Sequence, residues 1–251
     1  MDSKKVALIT GATSGIGKAT AERLYNLGFA LIITGRREER LKEWSVGKED
    51  ILCLNFDVRN EEEVNAAISS LNGKWKNIDV LVNNAGLAMG LSRFYDGDTS
   101  HWNTMLDTNV KGLLYVSKAV GLIMKEQGRG HIVNIGSIAG KEVYDNGNVY
   151  CASKHAVDAL NKAMRYELSE FGVRVTAIHP GAVETEFSEV RFEGDKEKAD
   201  LVYKGFENLV ADDIADAIEY CVTRKSHVNI NDLVIMPQAQ PVASVIHRKK
   251  D

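Results

Sequence analysis

The chain has 251 residues, 44% of them hydrophobic and 26% charged, with a formal net charge of −4. This is the make-up of a globular protein large enough to bury a core without disulfides or a structural metal. An acidic balance with no concentrated basic run leaves nucleic acid and anionic membranes without a footing.

Residues 6–10 form a short apolar run that ends in glycine turns, too short for a signal peptide or a membrane span. Residues 16–27 then place Ile16, Ala19, Thr20, Leu24 and Leu27 at helical spacing, with Gly28 positioned as a C-cap. Residues 30–34 are continuously apolar, as a strand covered on both faces must be. Strand-like runs recur at 51–56, 80–82, 131–135 and 173–179, and helical stretches intervene at 61–71, 102–127 and 149–171. Asp212 stands where it could cap a helix running to Cys221, and 233–236 supplies a last strand. Such alternation means βαβ units. The expected fold class is α/β: one Rossmann-like domain over residues 1–251, a doubly wound parallel sheet with helices on both faces. Residues 183–210 are polar and weakly periodic, and are expected to form a lid. The three cysteines, Cys53, Cys151 and Cys221, are scattered without a CxxC pair. They read as reduced packing thiols of a cytoplasmic protein, Cys151 included.

The first strand runs into the first helix through Gly11-Ala-Thr-Ser-Gly15-Ile-Gly17. Its backbone amides and the helix N-terminus suit a pyrophosphate, although the spacing is GxxxGxG rather than GxGxxG, and glycines also serve plain turns. The second strand ends in Gly35-Arg36-Arg37, roughly 20 residues further on, where the adenosine ribose of a bound dinucleotide lies. An acidic residue there would favour NAD; two arginines favour the 2′-phosphate of NADP. The alternative is a solvated arginine pair opening a helix over 37–44, a poor place for positive charge.

Tyr150 and Lys154 are four residues apart and share one helix face. Ser137 follows the fifth strand at the carboxyl edge, where open α/β sheets bind ligands. Moving a hydride to or from a carbonyl carbon requires a proton donor or base at the oxygen. A tyrosine titrates near 10 and must fall about three units, or about 4 kcal/mol, to serve near neutrality. One ammonium at ~4 Å in an effective dielectric of ~20 supplies about that much, so Lys154, aided by an oxidised nicotinamide, is the expected activator.

The loop from Gly11 to Gly17, Asn83-Asn84-Ala85-Gly86, Asn109, Ser137, Tyr150-Cys-Ala-Ser-Lys154 and Pro180-Gly181 together resemble the short-chain dehydrogenase/reductase family over nearly the whole chain. The resemblance implies a catalytic tetrad of Asn109, Ser137, Tyr150 and Lys154, with Ser137 holding the substrate oxygen and Asn109 a proton-relaying water. It also implies an NADP site: Gly11, Thr13, Ser14, Gly15, Ile16 and Gly17 at the phosphates, with Arg36 and Arg37. Asp57 and Val58 would lie at adenine, Asn84, Ala85 and Gly86 beneath the ribose, and Tyr150 and Lys154 at the nicotinamide ribose. Pro180, Gly181, Val183 and Thr185 would meet the carboxamide and phosphates. Asn83-Asn-Ala-Gly-Leu-Ala-Met-Gly90, Trp102-Asn-Thr-Met-Leu-Asp-Thr-Asn109, Glu186-Phe-Ser-Glu-Val-Arg-Phe192 and His227-Val-Asn-Ile-Asn231 are similar to the NADP-dependent 3-hydroxy acid dehydrogenases. They point to oxidation of a serine, allo-threonine or 3-hydroxypropionate type of substrate. Arg191 is the candidate for its carboxylate; the alternative is surface pairing with Glu189 or Glu193. Other possibilities are a 3-oxoacyl carrier-protein reductase, which wants a basic docking patch, and a non-catalytic NADP-binding regulator, which has no need of an intact tetrad. Family resemblance also implies a homotetramer assembled through the two long helices, with the 242–251 tail as another candidate for assembly. No metal site is expected.

Overall fold

In the computed structural model, which describes residues 4–249, the first apolar run is β1 (Val6–Ile9), every residue of it buried. It is followed by α1 (Gly15–Asn26), β2 (Ala30–Gly35), α2 (Glu38–Ser45), β3 (Ile51–Asn55), α3 (Glu61–Ser69) and β4 (Val80–Asn83). Next come α4 (Thr99–Leu106), α5 (Leu113–Gln127), β5 (Gly130–Ile135), α6 (Asn148–Leu168) and β6 (Val173–Pro180). Residues 183–210 fold as β7 (Val183–Glu184), α7 (Phe187–Arg191), α8 (Lys196–Tyr203) and β8 (Leu209–Val210), and α9 (Ala211–Val222) and β9 (Asp232–Ile235) follow.

Among the described residues seven strands make one parallel sheet in the order β3-β2-β1-β4-β5-β6-β9. The winding reverses between β1 and β4, which opens a crevice at the carboxyl ends of the central strands. Alternate strand residues face two cores. Ile9, Leu31, Ile33 and Val82 pack with Leu24, Ile214 and Ile218 of α1 and α9 on one side. Leu8, Ile32 and Leu81 pack with Val64, Val116, Val120 and Met124 of α3 and α5 on the other. The central strands β1, β2 and β4 are covered on both faces, which explains their near-continuous apolar runs. No helix among the described residues is long and apolar enough to cross a membrane.

Three sequence expectations need correction. The helix read over 102–127 starts earlier, at Thr99, where the Asp98 carboxylate accepts from Ser100 N at 2.7 Å. It is also interrupted by a π-helical stretch, Asp107–Gly112. An extra residue in one turn leaves almost no mark on apolar periodicity. Asp212 does not cap α9: the Asp213 carboxylate accepts from Val210 N at 2.8 Å, while Asp212 pairs with Arg23 of α1 at 2.7 Å. Finally, the stretch read as helix over 149–171 leaves α-geometry after Leu168 and closes in a 3₁₀ turn, Ser169–Phe171. Residues 250–251 of the tail lie outside the described residues.

Candidate active site

The crevice is a cavity of about 480 Å³ lined from the ends of β1, β2, β4, β5 and β6 and roofed by residues 183–203. Its floor is built from glycines that cannot be replaced without collision. Gly11 adopts φ +67°, in the left-handed region that glycine enters at no steric cost. A Cβ on Gly17 would strike the Gly11 carbonyl and the Asn84 amide. Asn84 Nδ2 donates to the carbonyls of Thr10 (2.9 Å) and Gly11 (3.2 Å), and Thr10 Oγ1 accepts from Asn84 N and Ala85 N, both at 3.0 Å. The 11–17 loop and the 84–86 turn therefore form one rigid unit. Ser14 makes no capping bond to α1, so the first N–H groups of that helix, with the positive end of its dipole, are available to a phosphate. These features fit a dinucleotide.

The two arginines at the end of β2 have different surroundings. Arg37 stands just before α2, whose first turn carries Glu38 and Glu39. As the N-cap residue Arg37 still faces the positive end of the helix dipole, a mismatch offset by those acidic side chains. Its guanidinium donates to Thr13 Oγ1 (3.1 and 2.8 Å) and Ser14 Oγ (2.7 Å), and pairs with Glu186 at 2.8 Å. Arg40 pairs with the other oxygen of Glu186 at 2.7 Å. Arg36 is more exposed and makes only a long ion pair, 4.0 Å, with Asp57. Val58 is buried beneath Gly112, where any Cβ would meet it at 2.8 Å.

Asn109 sits in the π-helical stretch, buried. Its Oδ1 accepts from Leu87 N at 2.9 Å, and its Nδ2 donates to Leu87 O at 2.8 Å and to Ser153 Oγ at 3.0 Å. In this widened turn the amide reaches Leu87 in the loop after β4 and Ser153 on α6, and π-turns are frequent at functional sites. One turn apart on α6 are Tyr150 and Lys154. Lys154 Nζ donates to Ile135 O at 2.9 Å and lies 5.9 Å from the Tyr150 ring centre. Burial pulls the ammonium down to a pKa of about 8. Burial also pushes the Tyr150 hydroxyl up, with Tyr144 adding to the rise, while the Arg191 charge and a hydrogen bond with Ser137 act the other way. Lys154, expected with an oxidised nicotinamide to lower Tyr150, works against an opposing effect: the dry surroundings that hold the lysine also disfavour the phenolate.

Ser137 Oγ accepts from Ala139 N at 3.1 Å. Arg191 does not pair with Glu189 or Glu193. Its guanidinium lies 5.1 Å from the ring centres of both Tyr150 and Phe187, and Nη2 donates to Tyr144 OH at 3.1 Å. Its Nε is buried without a hydrogen-bond partner. Thr185 packs against Gly15, its Oγ1 accepting from Phe187 N at 3.2 Å. Val183 O accepts from Tyr203 OH at 2.9 Å, and Pro180 and Gly181 close the end of β6, Gly181 N donating to Ile235 O at 2.8 Å. The residues singled out in the sequence line this cleft except Gly17 and Asn109, which sit behind its walls against Gly11 and Leu87. Those missed are Tyr144, Phe187 and Glu186, which take part only because residues 183–210 fold back over the crevice. Glu186 and Phe187 lay in a motif already noted; Tyr144 left no signal.

The chain belongs to the short-chain dehydrogenase family, whose model matches residues 5–196. Over 247 residues it is 44% identical to an NADP-dependent 3-hydroxy acid dehydrogenase of Escherichia coli, covering 97% of this chain and all of that one. It is 44% identical over 239 residues to sulfoacetaldehyde reductase 2 of Chromohalobacter salexigens, covering 94% and 95% of the two chains. The closed form of a serine dehydrogenase complexed with NADP+ superposes with a TM-score of 0.93 at 43% identity, over 97% of this chain and 100% of that one.

The buried ammonium has a thermodynamic signature. Lys154 titrates at about 8 when folded against 10.5 for a free lysine. The charged form is penalised in the fold, so the penalty is complete below pH 8 and disappears as pH rises to 10.5. Relative to Lys154→Met, the wild type should gain about 3 kcal/mol between pH 7.5 and 10.5, at 1.36 kcal/mol per pKa unit. Denaturant unfolding at several pH values reads this, and a pH-independent difference between the two proteins contradicts it.

Proposed function

We propose that this protein catalyses the reversible NADP-linked oxidation of a short 3-hydroxy acid, of the serine, allo-threonine or 3-hydroxypropionate type, to the 3-oxo acid or semialdehyde. The observation that carries the proposal is Arg191. A guanidinium with a buried, unpartnered N–H lies against the ring of the candidate proton-transfer tyrosine, so an anionic group close to the reacting carbon is matched. The two similar proteins named above act, by their descriptions, on a hydroxy acid and on sulfoacetaldehyde, both small and anionic.

NADP, when bound, supplies the hydride acceptor and, in its oxidised form, a positive charge beside the reacting atoms. The first turn of α1 and the loop of Gly11, Thr13, Ser14, Gly15, Ile16 and Gly17 would hold its phosphates. Arg36, which has a free guanidinium face, and Arg37 would meet the 2′-phosphate. Asp57 and Val58 would border adenine, Asn84 to Gly86 the adenosine ribose, and Lys154 the nicotinamide ribose. Pro180, Gly181, Val183 and Thr185 would border the carboxamide side. Tyr150 would take the proton from the substrate hydroxyl, Ser137 would hold that oxygen, and Lys154 would stabilise the developing phenolate. Asn109 would fix Leu87 and the water through which Lys154 exchanges protons. The 183–210 segment would serve as lid, and a dry site beneath it strengthens the ion pair with Arg191. A bulky carrier-protein substrate is disfavoured, because the Arg191 guanidinium at the end of α7 is turned inward onto Tyr150, Phe187 and Tyr144 and is not presented as part of a docking patch.

We also propose a homotetramer, since Leu114 and Leu122 on α5 and Tyr166 on α6 are exposed. A solution mass near four times 27.7 kDa is expected, and a monomer at micromolar concentration contradicts it.

The two arginine sites should separate in kinetics. Arg191→Ala should lose roughly 10- to 100-fold in kcat/KM on a 3-hydroxy acid, far less on a neutral alcohol of similar size, with NADP affinity unchanged. Arg36→Ala should lose about 10-fold or more in NADP affinity and little in NAD affinity. Steady-state kinetics on both alcohols, with titration of both cofactors, check this. Equal losses on charged and neutral alcohols make Arg191 structural, and equal losses for NADP and NAD dismiss Arg36.

A further inference from the structure

Beneath Ser137, at the carboxyl end of β6, the imidazole of His179 is wholly buried. It lies flat against the backbone at Gly136, where a Cβ would come 2.5 Å from Nδ1. Nδ1 faces the Ser137 carbonyl at 3.2 Å. A carbonyl only accepts, so this bond requires the tautomer with its proton on Nδ1, the ring being held neutral by burial and the Lys141 charge. Nε2 faces Asp232 Oδ1 at 3.1 Å and Asp158 Oδ1 at 3.6 Å. Those carboxylates are bound in turn by Lys141 (2.6 Å to Asp158, 3.1 Å to Asp232), by Lys162 (2.7 Å to Asp158) and, at 3.8 Å, by Arg165. The cluster of Asp158, His179 and Asp232 has metal-ligand chemistry, but the Lys141 ammonium already bridges the two carboxylates. What the cluster does is hold the imidazole from behind while its front edge bonds to the serine.

We infer that His179 is a positioning residue for the oxidoreductase reaction: by bonding the Ser137 carbonyl it fixes the peptide that follows Ser137 and so aims the hydroxyl that holds the substrate oxygen. The Ser137 carbonyl also accepts from Gly140 N at 2.8 Å, which closes the turn. That bond sets the turn's shape, and the imidazole ties the turn to β6 and β9. The inference rests on Ser137 holding substrate. Misplacement of such a group by a fraction of an ångström to an ångström is enough to cost a large share of the rate.

The two imidazole nitrogens can be imitated separately. Asparagine carries a donor near the place of Nδ1, and glutamine near that of Nε2. His179→Gln therefore keeps the contact with Asp232 and loses the one with Ser137. Its kcat should fall about 10- to 100-fold, with NADPH affinity and melting temperature close to wild type. His179→Asn should recover kcat to within about threefold of wild type, since the donor to Ser137 is restored. In a Ser137→Ala background, His179→Gln should cost nothing further, because the residue acts through the serine. Wild-type kcat in His179→Gln overturns the inference. So does equal loss in the Asn and Gln variants together with weakened NADPH binding, and so does a full additional loss in the Ser137→Ala background. Ser137→Ala alone, if it turns over like the wild type, rejects the role of the serine, a failure separate from any result on His179.

Discussion

A buried ammonium is the constraint around which this site is organised. Lys154 is enclosed by protein, and its Nζ is held on the Ile135 carbonyl at the end of β5. A charge in such a place is tolerated only with acceptors fixed around it. The fold supplies one by geometry, the Ile135 carbonyl. β5 ends where its last carbonyl points at α6, and α6 approaches closely because Gly140 has no side chain: a Cβ there would stand 2.6 Å from the Lys154 carbonyl. Gly86 leaves similar room, since a Cβ on it would lie 3.6 Å from Nζ. The π-turn of Asn109 then clamps Leu87, next to Gly86, so three separate stretches of chain meet around a single nitrogen.

The same dryness acts on both members of the Tyr150 and Lys154 pair, in opposite directions: the ammonium is made more acidic and the phenol less. Proton transfer between groups of 10 and 10.5 in water thus depends in the protein on charges brought near the phenol. Arg191, Lys154 and, when bound, the oxidised nicotinamide are the charges this chemistry can use. The cation expected to bind substrate consequently also lowers the cost of the phenolate, which ties substrate recognition to proton transfer in one small volume.

Much of this was legible in the sequence, for physical reasons. Parallel strands covered on both faces are nearly continuous apolar runs, so 6–9 and 30–34 were readable at sight. Glycines forced by close approach, Gly11 and Gly17 among them, are visible because no other residue fits. The features that escaped depend on contacts distant in sequence or on one-residue irregularities. The π-turn at 107–112 adds a residue without disturbing the apolar pattern. Asp212 looked like a cap because its partner, Arg23, lies 189 positions away. The inward fold of Arg191 and the binding of Glu186 by Arg37 and Arg40 exist only because α7 is laid over the crevice, and no local pattern records that. His179 had no motif at all; its role comes from β6 lying between β5 and β9.

The most direct test of the account is turnover by Tyr150→Phe, followed as NADPH formation from NADP and a 3-hydroxy acid. The ring and its packing against Phe187 remain while the proton-transfer oxygen is lost. The expected result is a fall in kcat of at least about 10²-fold with NADP affinity unchanged. Turnover close to wild type in that variant would contradict the account.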